Sequence, residues 1–213
     1  MLKGIIFDFD GVIAESVHIK SSAFSDLYKP YGTEIVKRIV KHHEANGGMS
    51  RFEKIGFYHK TFIDTILSDQ EISQFANQFS KYVVDRVARS QYVPNALEFI
   101  KHSYGNYKLF ISTGTPTTEM KNILKLKKII RYFTGVYGSP ALKNEHVSVI
   151  CAQYNLKADE LIFFGDSITD MEVADANGIK FILRQHKYNK KYFQNYSGQK
   201  INNFKSLDIS SII

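Results

Sequence analysis

Two aspartates with one residue between them, Asp8 and Asp10, close the oily run Gly4-Ile5-Ile6-Phe7 near the start of this 213-residue chain. A second pair, Asp166 and Asp170, follows the apolar run "ELIFFG" at 160–165. Four carboxylates at two strand ends repel strongly in a dry site unless a cation lies among them. A hard divalent ion with oxygen ligands removes that problem. Mg²⁺ fits, because it takes one or two protein carboxylates and leaves its other positions to water and substrate phosphate. A third apolar run, "KLFIS" at 108–112, breaks at Thr113-Gly114. The Thr113 hydroxyl (or that of Ser112, depending on where the strand ends) and the backbone N–H groups of the turn at Gly114 suit phosphoryl oxygens. Lys143, beyond the Gly138-Ser139-Pro140 turn, offers positive charge to an incoming dianion. A carboxylate beside a metal can attack phosphorus and form an aspartyl phosphate. An acid two residues on can protonate the leaving oxygen and later activate water.

Such residues need elements that bring them to one place. Residues 3–9 form a short apolar run bounded by glycine, too brief for a helix, which predicts a buried strand. From about Ser16 to Ser90 the pattern is helical, as in "EIVKRIVKHHEA" (34–45) and "QEISQFANQFSKYVVDRVA" (70–88), with Ser68 or Asp69 as a cap for the second. From Pro94 onward helix and strand alternate, with strands near 108–112, 132–138, 160–165 and 179–184, and "INNFKSL" (201–207) as a last edge strand. This order predicts an α/β fold, a parallel sheet wrapped by helices, with a helical insertion after the first strand. Sites in such sheets lie beyond the carboxyl ends of the strands, where Asp8, Asp10, Thr113, Asp166 and Asp170 all fall.

The segments "DFDGVIAES", "LFISTGTP", Lys143 and "FFGDSITD", in this order, resemble the four motifs of the haloacid dehalogenase superfamily, in its beta-phosphoglucomutase and phosphoglycolate phosphatase branch. The resemblance spans residues 4–170 and implies a Rossmann-like doubly wound core from residues 1–15 and 91–213, with a helical cap at 16–90. It implies Asp8 as nucleophile and Asp10 as general acid and base. Thr113 and Lys143 would hold the transferred phosphoryl group. Mg²⁺ would sit on Asp8, the backbone carbonyl of Asp10 and Asp166, with Asp170 in support; which of Asp166 and Asp170 binds directly stays open. In the cap, "GGMSR" (47–51) resembles the loop lowered onto the substrate in the mutase branch. Its glycines, Gly48 among them, let backbone approach closely, and Arg51 suits bidentate contact with phosphate or carboxylate. His18, just past the hinge, is placed to meet the substrate or the general acid. His42 and His43 are adjacent on a helix, point in different directions and read as solvated surface, not as a metal pair.

Composition sets the remaining bounds. The chain is 44% hydrophobic and 23% charged, that of a folded soluble protein, and no stretch approaches the length of a membrane span. One cysteine, Cys151, suits a reducing cytoplasm. The formal charge of +7 comes from scattered lysines and arginines, so a small anionic substrate is expected and nucleic acid is not. The expectation is a Mg²⁺-dependent phosphatase acting on a small phosphorylated metabolite such as a sugar phosphate, as a monomer or weak dimer. A phosphomutase uses the same residues and is the alternative. A basic binding protein without catalysis fits the carboxylate set less well.

Overall fold

A computed structural model of the chain describes residues 1–205, 207 and 209. Ser206, within the expected edge strand, and Asp208 and 210–213 of the expected core lie outside the described residues.

Six strands form one parallel sheet: β1 (Gly4–Phe7), β2 (Lys108–Pro116), β3 (Gly135–Ser139), β4 (Leu161–Gly165), β5 (Lys180–Arg184) and β6 (Lys200–Ile201), in the order β3-β2-β1-β4-β5-β6. Parallel pairing with helices on both faces requires strands apolar on both sides, and β1 and β4 are buried at every position. Ile5 and Phe7 pack into the larger core cluster, while Ile6 faces the smaller one across the sheet with Phe110 and Phe163. Around this sheet run α5 (Ala96–Ser103), α6 (Thr117–Leu126), α7 (Lys143–Tyr154) and α8 (Ile168–Ala176). Strand β2 extends past Ser112 to Pro116, further than the sequence pattern predicts, because its pairing with β3 resumes at Pro116–Ser139 after an irregularity.

The insertion between β1 and α5 is helical throughout: α1 (Val17–Tyr28), α2 (Thr33–Ala45), α3 (Arg51–Tyr58) and α4 (Asp69–Arg89). Ser50 and Ser68 start α3 and α4 with reciprocal capping boxes, to Glu53 and Glu71 respectively. Its interior is aromatic, with Phe24 4.3 Å from Phe79 and Tyr28 edge-on to Tyr58 at 5.7 Å. This packing continues the larger core cluster, so the cap and the sheet share one apolar body.

Two linkers join the insertion to the sheet and pair with one another. Glu15 N–H donates to Gln91 O at 2.9 Å, Val93 N–H donates to Ile13 O at 2.9 Å, and Ala14 bridges Tyr92 antiparallel. Glu15 is further tied to the core by an ion pair with Arg184. No helix among the described residues is long and apolar enough to cross a membrane.

Candidate active site

Register alone assembles the floor of the site. Phe7 of β1 lies beside Ile111 of β2 on one side and Phe164 of β4 on the other. The next residues along each strand, Asp8, Ser112-Thr113 and Gly165-Asp166, therefore lie side by side toward the carboxyl end of the sheet. Asp8 N–H donates to Phe164 O at 2.9 Å, which fixes the turn out of β1. Gly11 then takes a φ of +80°, and a Cβ there would fall 2.1 Å from Asp166 Oδ2, so this loop can reach the second carboxylate pair only through glycine.

Asp8, Asp166 and Asp170 are buried, and each offers an oxygen within 4.8 Å of the others. Asp170 is saturated: it accepts from Lys143, from the backbone N–H groups of Asp166 (3.2 Å) and Ser167 (3.1 Å), and from the Ser167 hydroxyl (2.6 Å). Asp166 accepts at Oδ2 from the His186 ring at 2.8 Å, and Asn189 donates to its backbone carbonyl at 2.7 Å. No described hydrogen bond reaches Asp166 Oδ1. The donor set is all oxygen, buried and rich in negative charge, and so fits a hard divalent ion. Asp8 and Asp166 have oxygens to give it, and Asp170 is better placed to orient the loop.

The electrostatics follow from burial and neighbours. Burial pushes the Asp8 carboxyl up to about 8; Lys143 opposes this, and Asp170, Asp166 and Asp10 add to it. Lys143 sits 3.3 Å from Asp8 and in direct contact with Asp170, and those two carboxylates hold its ammonium well above its ordinary value despite burial. Burial would also raise Asp10, but Lys20 at 2.5 Å and the Ser16 hydroxyl at 2.6 Å outweigh it and keep that carboxyl below its usual range. Thr113 lines the cavity with Asp8 and Gly114, whereas Ser112 turns away to the buried His146 ring at 2.9 Å. Of the two, Thr113 is the residue that lines the cavity, and its Oγ1 accepts from Thr115 N–H at 3.2 Å.

The cap closes over this floor. Gly48 lies so near the core that a Cβ on it would meet Ser167 Oγ at 2.9 Å and Thr169 Cβ at 3.0 Å. A Cβ on Gly114 would meet Gly48 O at 2.9 Å. Both glycines are where the sequence puts them, backbone against backbone. The space left beneath the loop is only about 20 Å³, room for about one water. A larger cavity of about 450 Å³ adjoins it on the other side of the loop, lined by Gly48, Thr113, Gly114 and Lys143.

Three cap expectations change. Arg51 does line the cavity, but its guanidinium is taken by Glu119 on α6, with Ser80 also bound at 2.6 Å and the Phe79 ring beneath it at 4.7 Å. His18 is exposed and outside the cavity; Lys20, two residues on and so about 200° round the helix, is the one turned inward. Lys20 bridges Asp10 and the Thr115 hydroxyl at 2.8 Å. The adjacent histidines do diverge, but His43 is buried rather than solvated, 4.9 Å from the Phe24 ring and 2.9 Å from Lys54 Nζ. His42 stacks on Phe57 at 4.4 Å.

Lys20, Lys54, Glu119 and His186 were not read from sequence. A signal existed for two of them. Arg51, Lys54, Ile55 and Tyr58 follow i, i+3, i+4, i+7 spacing and are all buried on α3. Lys20 shares a face of α1 with Phe24 and Leu27. A lysine on an apolar helical stripe marks a charge carried into an interior.

Residues 5–184 match the family model described as haloacid dehalogenase-like hydrolase. A phosphorylated carbohydrates phosphatase of Thermotoga maritima is 24% identical over 198 residues, 85% of this chain and 84% of that protein. A phosphoglycolate phosphatase of Haemophilus influenzae is 24% identical over 200 residues, 88% of this chain and 87% of that protein. Among solved structures, a beta-phosphoglucomutase of Clostridium difficile superposes with a TM-score of 0.79 at 17% identity, covering 100% of this chain and 96% of that one, a likeness of fold.

Proposed function

This chain belongs to the haloacid dehalogenase-like hydrolase family, as a phosphoric monoester hydrolase, and we propose that it releases phosphate from a small phosphorylated carbohydrate or organic acid through an aspartyl phosphate on Asp8, with Mg²⁺ bound. The observation that carries this reading is the Lys143 ammonium 3.3 Å from Asp8, whose own cavity also holds Asp10 and Thr113. One buried carboxylate is thus provided with a fixed cation, a second acid two residues away and a hydroxyl donor.

In this reading residues 1–15 and 91–213 are the catalytic core and 16–90 the cap. Asp8, the backbone carbonyl of Asp10 and Asp166 would hold the ion, which when bound supplies positive charge to the carboxylates and phosphoryl oxygens. Asp8 attacks phosphorus: an Asp8 oxygen–phosphorus bond forms and the ester oxygen leaves with its electron pair. Asp10 gives that oxygen a proton. With the cavity empty the proton lies on Asp8 and Asp10 is ionised. With the ion bound Asp8 would be held as the carboxylate, and the phosphate dianion would raise Asp10, so that the proton Asp8 gives up is the one Asp10 carries. Left ionised again, it takes a proton from water, whose oxygen attacks the aspartyl phosphate and frees orthophosphate and Asp8. Lys143 stays cationic throughout and faces the charge on the transferred group, and the Thr113 hydroxyl and Gly114 N–H donate to its oxygens. The closed cap excludes bulk water.

The test is a panel of phosphorylated sugars and acids incubated with the enzyme and Mg²⁺. Stoichiometric orthophosphate is expected from at least one. Isomerised phosphate esters without orthophosphate would replace the phosphatase reading with a mutase.

A further inference from the structure

The cations around the cavity are not equally employed. Lys143 is paired with Asp8 and Asp170, Lys20 with Asp10, and Arg51 with Glu119. Lys54 is different. It is 2% exposed, has no carboxylate within ion-pair distance among the described residues, and makes one hydrogen bond, to His43 Nδ1 at 2.9 Å. An ammonium carries three donors, and the cavity it lines has room for about one water to meet the two that His43 leaves over. Phe24 and Phe79 wall the same cavity, which Lys54 and His43 share with Asp8 and Thr113.

We propose that Lys54, supported by His43, binds a second anionic group of the substrate, so that the substrate class is a compact phosphomonoester that also bears a carboxylate or a second phosphate. The inference rests on the phosphatase reading of this site and adds what lies at the other end of the molecule. A buried cation with its partner missing is strongly unfavourable, and an apolar side chain of similar length would suit the aromatic surroundings better. Burial, with Lys20 and Lys143 nearby, pushes Lys54 well below its ordinary value, only partly offset by the more distant Asp10 and Asp8, and burial beside Lys54 does the same to His43. A substrate hydroxyl would occupy one donor and leave the charge uncompensated. An anion meets both needs. Arg51, the cap cation that the sequence favours, is already neutralised by Glu119 and leaves this role to Lys54. Because one small cavity holds both ends, the second anion lies within a few carbons of the phosphorus.

The experiment compares matched esters on the full-length enzyme with Mg²⁺: 2-phosphoglycolate against 2-hydroxyethyl phosphate, and propane-1,3-diol bisphosphate against its monophosphate. The first pair tests carboxylate and the second tests phosphate. In the wild type, kcat/KM for the anion-bearing member of at least one pair is expected to exceed its neutral counterpart by about 10- to 100-fold, the worth of a hydrogen bond to a charged group. Lys54→Met is expected to bring that ratio close to one, mainly through KM, and Lys54→Arg to keep part of it. Ratios near one in the wild type would overturn the proposal, as would a ratio unchanged in Lys54→Met. The wild-type ratios need no variant and decide the matter if Lys54→Met fails to fold. Release of orthophosphate from the neutral esters or p-nitrophenyl phosphate, with no preference for the anionic ones, would leave the phosphatase reading standing and remove this inference alone. No orthophosphate from any ester would remove both.

Discussion

Arg51 of the cap and Glu119 of the core form a two-pronged ion pair, Nη1 to Oε2 at 2.9 Å and Nη2 to Oε1 at 2.5 Å, with both side chains nearly inaccessible to solvent. This pair ties α3 to α6 across the boundary between the helical insertion and the core. Removing either partner leaves the other charge buried alone, which costs about 3–5 kcal/mol. Arg51→Met and Glu119→Gln are each expected to favour the open cap, seen as faster proteolysis of the 46–51 segment and a higher KM for every substrate. The double variant Arg51→Met/Glu119→Gln should recover part of the loss, since no charge is stranded. Losses that simply add would show that the two residues do not act as a unit.

Asp8→Asn should leave no measurable turnover, because an amide is a poor nucleophile and a poorer ligand for a hard ion. Asp10→Asn should bind substrate and turn over about 10²- to 10⁴-fold more slowly, the usual worth of general acid–base help. Orthophosphate release under single-turnover conditions separates the two. Turnover by the Asp8 variant near the wild-type rate would exclude the covalent route.

Removal of divalent ions with EDTA should stop turnover, and Mg²⁺ should restore it, the outcome expected when the oxygen-only cluster of Asp8, Asp166 and Asp170 holds the ion. Ca²⁺ should compete without supporting the reaction, since its larger and looser shell spoils the in-line arrangement. Full activity after exhaustive chelation would remove the metal from the reading.

Lys54 should make the empty enzyme less stable. Its ammonium is driven below the ordinary value by burial first and by Lys20 next. The unfolded chain therefore binds a proton there that the folded chain resists. The penalty is present in full below the depressed folded value and fades as pH rises towards the ordinary 10.5 of the unfolded side chain. Lys54→Met should then raise Tm at neutral pH, by about 2–4 °C for each kcal/mol relieved, and by less at pH 10. A lower Tm at neutral pH would show that Lys54 is well satisfied by the protein itself.

Gly48→Ala should impair closure and spare the fold. The added methyl meets Ser167 and Thr169 only when the cap is down. Overpacking of this kind costs about 1–3 kcal/mol, or about 5- to 150-fold in kcat/KM, with little change in Tm. Unchanged kinetics would mean that catalysis does not need the loop so close.

What the sequence made legible was local. Asp8, Asp10, Thr113 and Asp166 each follow an apolar run that ends abruptly, and a parallel sheet gathers strand ends without further instruction. The helical insertion was legible for a similar reason, since periodicity and the Ser68 cap lie within one stretch of chain. The partners were not. Glu119 sits in the first turn of α6 and looks like any acid complementing a helix start. It becomes the mate of Arg51 only when the cap lies on the core. His186 stands beyond β5 and meets Asp166 through a loop that Asn189 pins. Such pairings depend on where two distant segments land, and side-chain type alone does not carry that.

The linkers of the insertion run side by side, joined by hydrogen bonds between Glu15 and Gln91 and between Ile13 and Val93. The points of departure and return are thus neighbours fixed by the core. Whatever is strung between them begins and ends at the same spot, so its length hardly matters: each doubling of a flexible connection adds only about 0.6 kcal/mol of closure entropy. The junction works as a socket. A different set of helices, or a short turn, can be spliced in there without disturbing the order of the strands. Lys54, His43 and the Gly48 loop can then be replaced as one contiguous cassette while the aspartates stay in place.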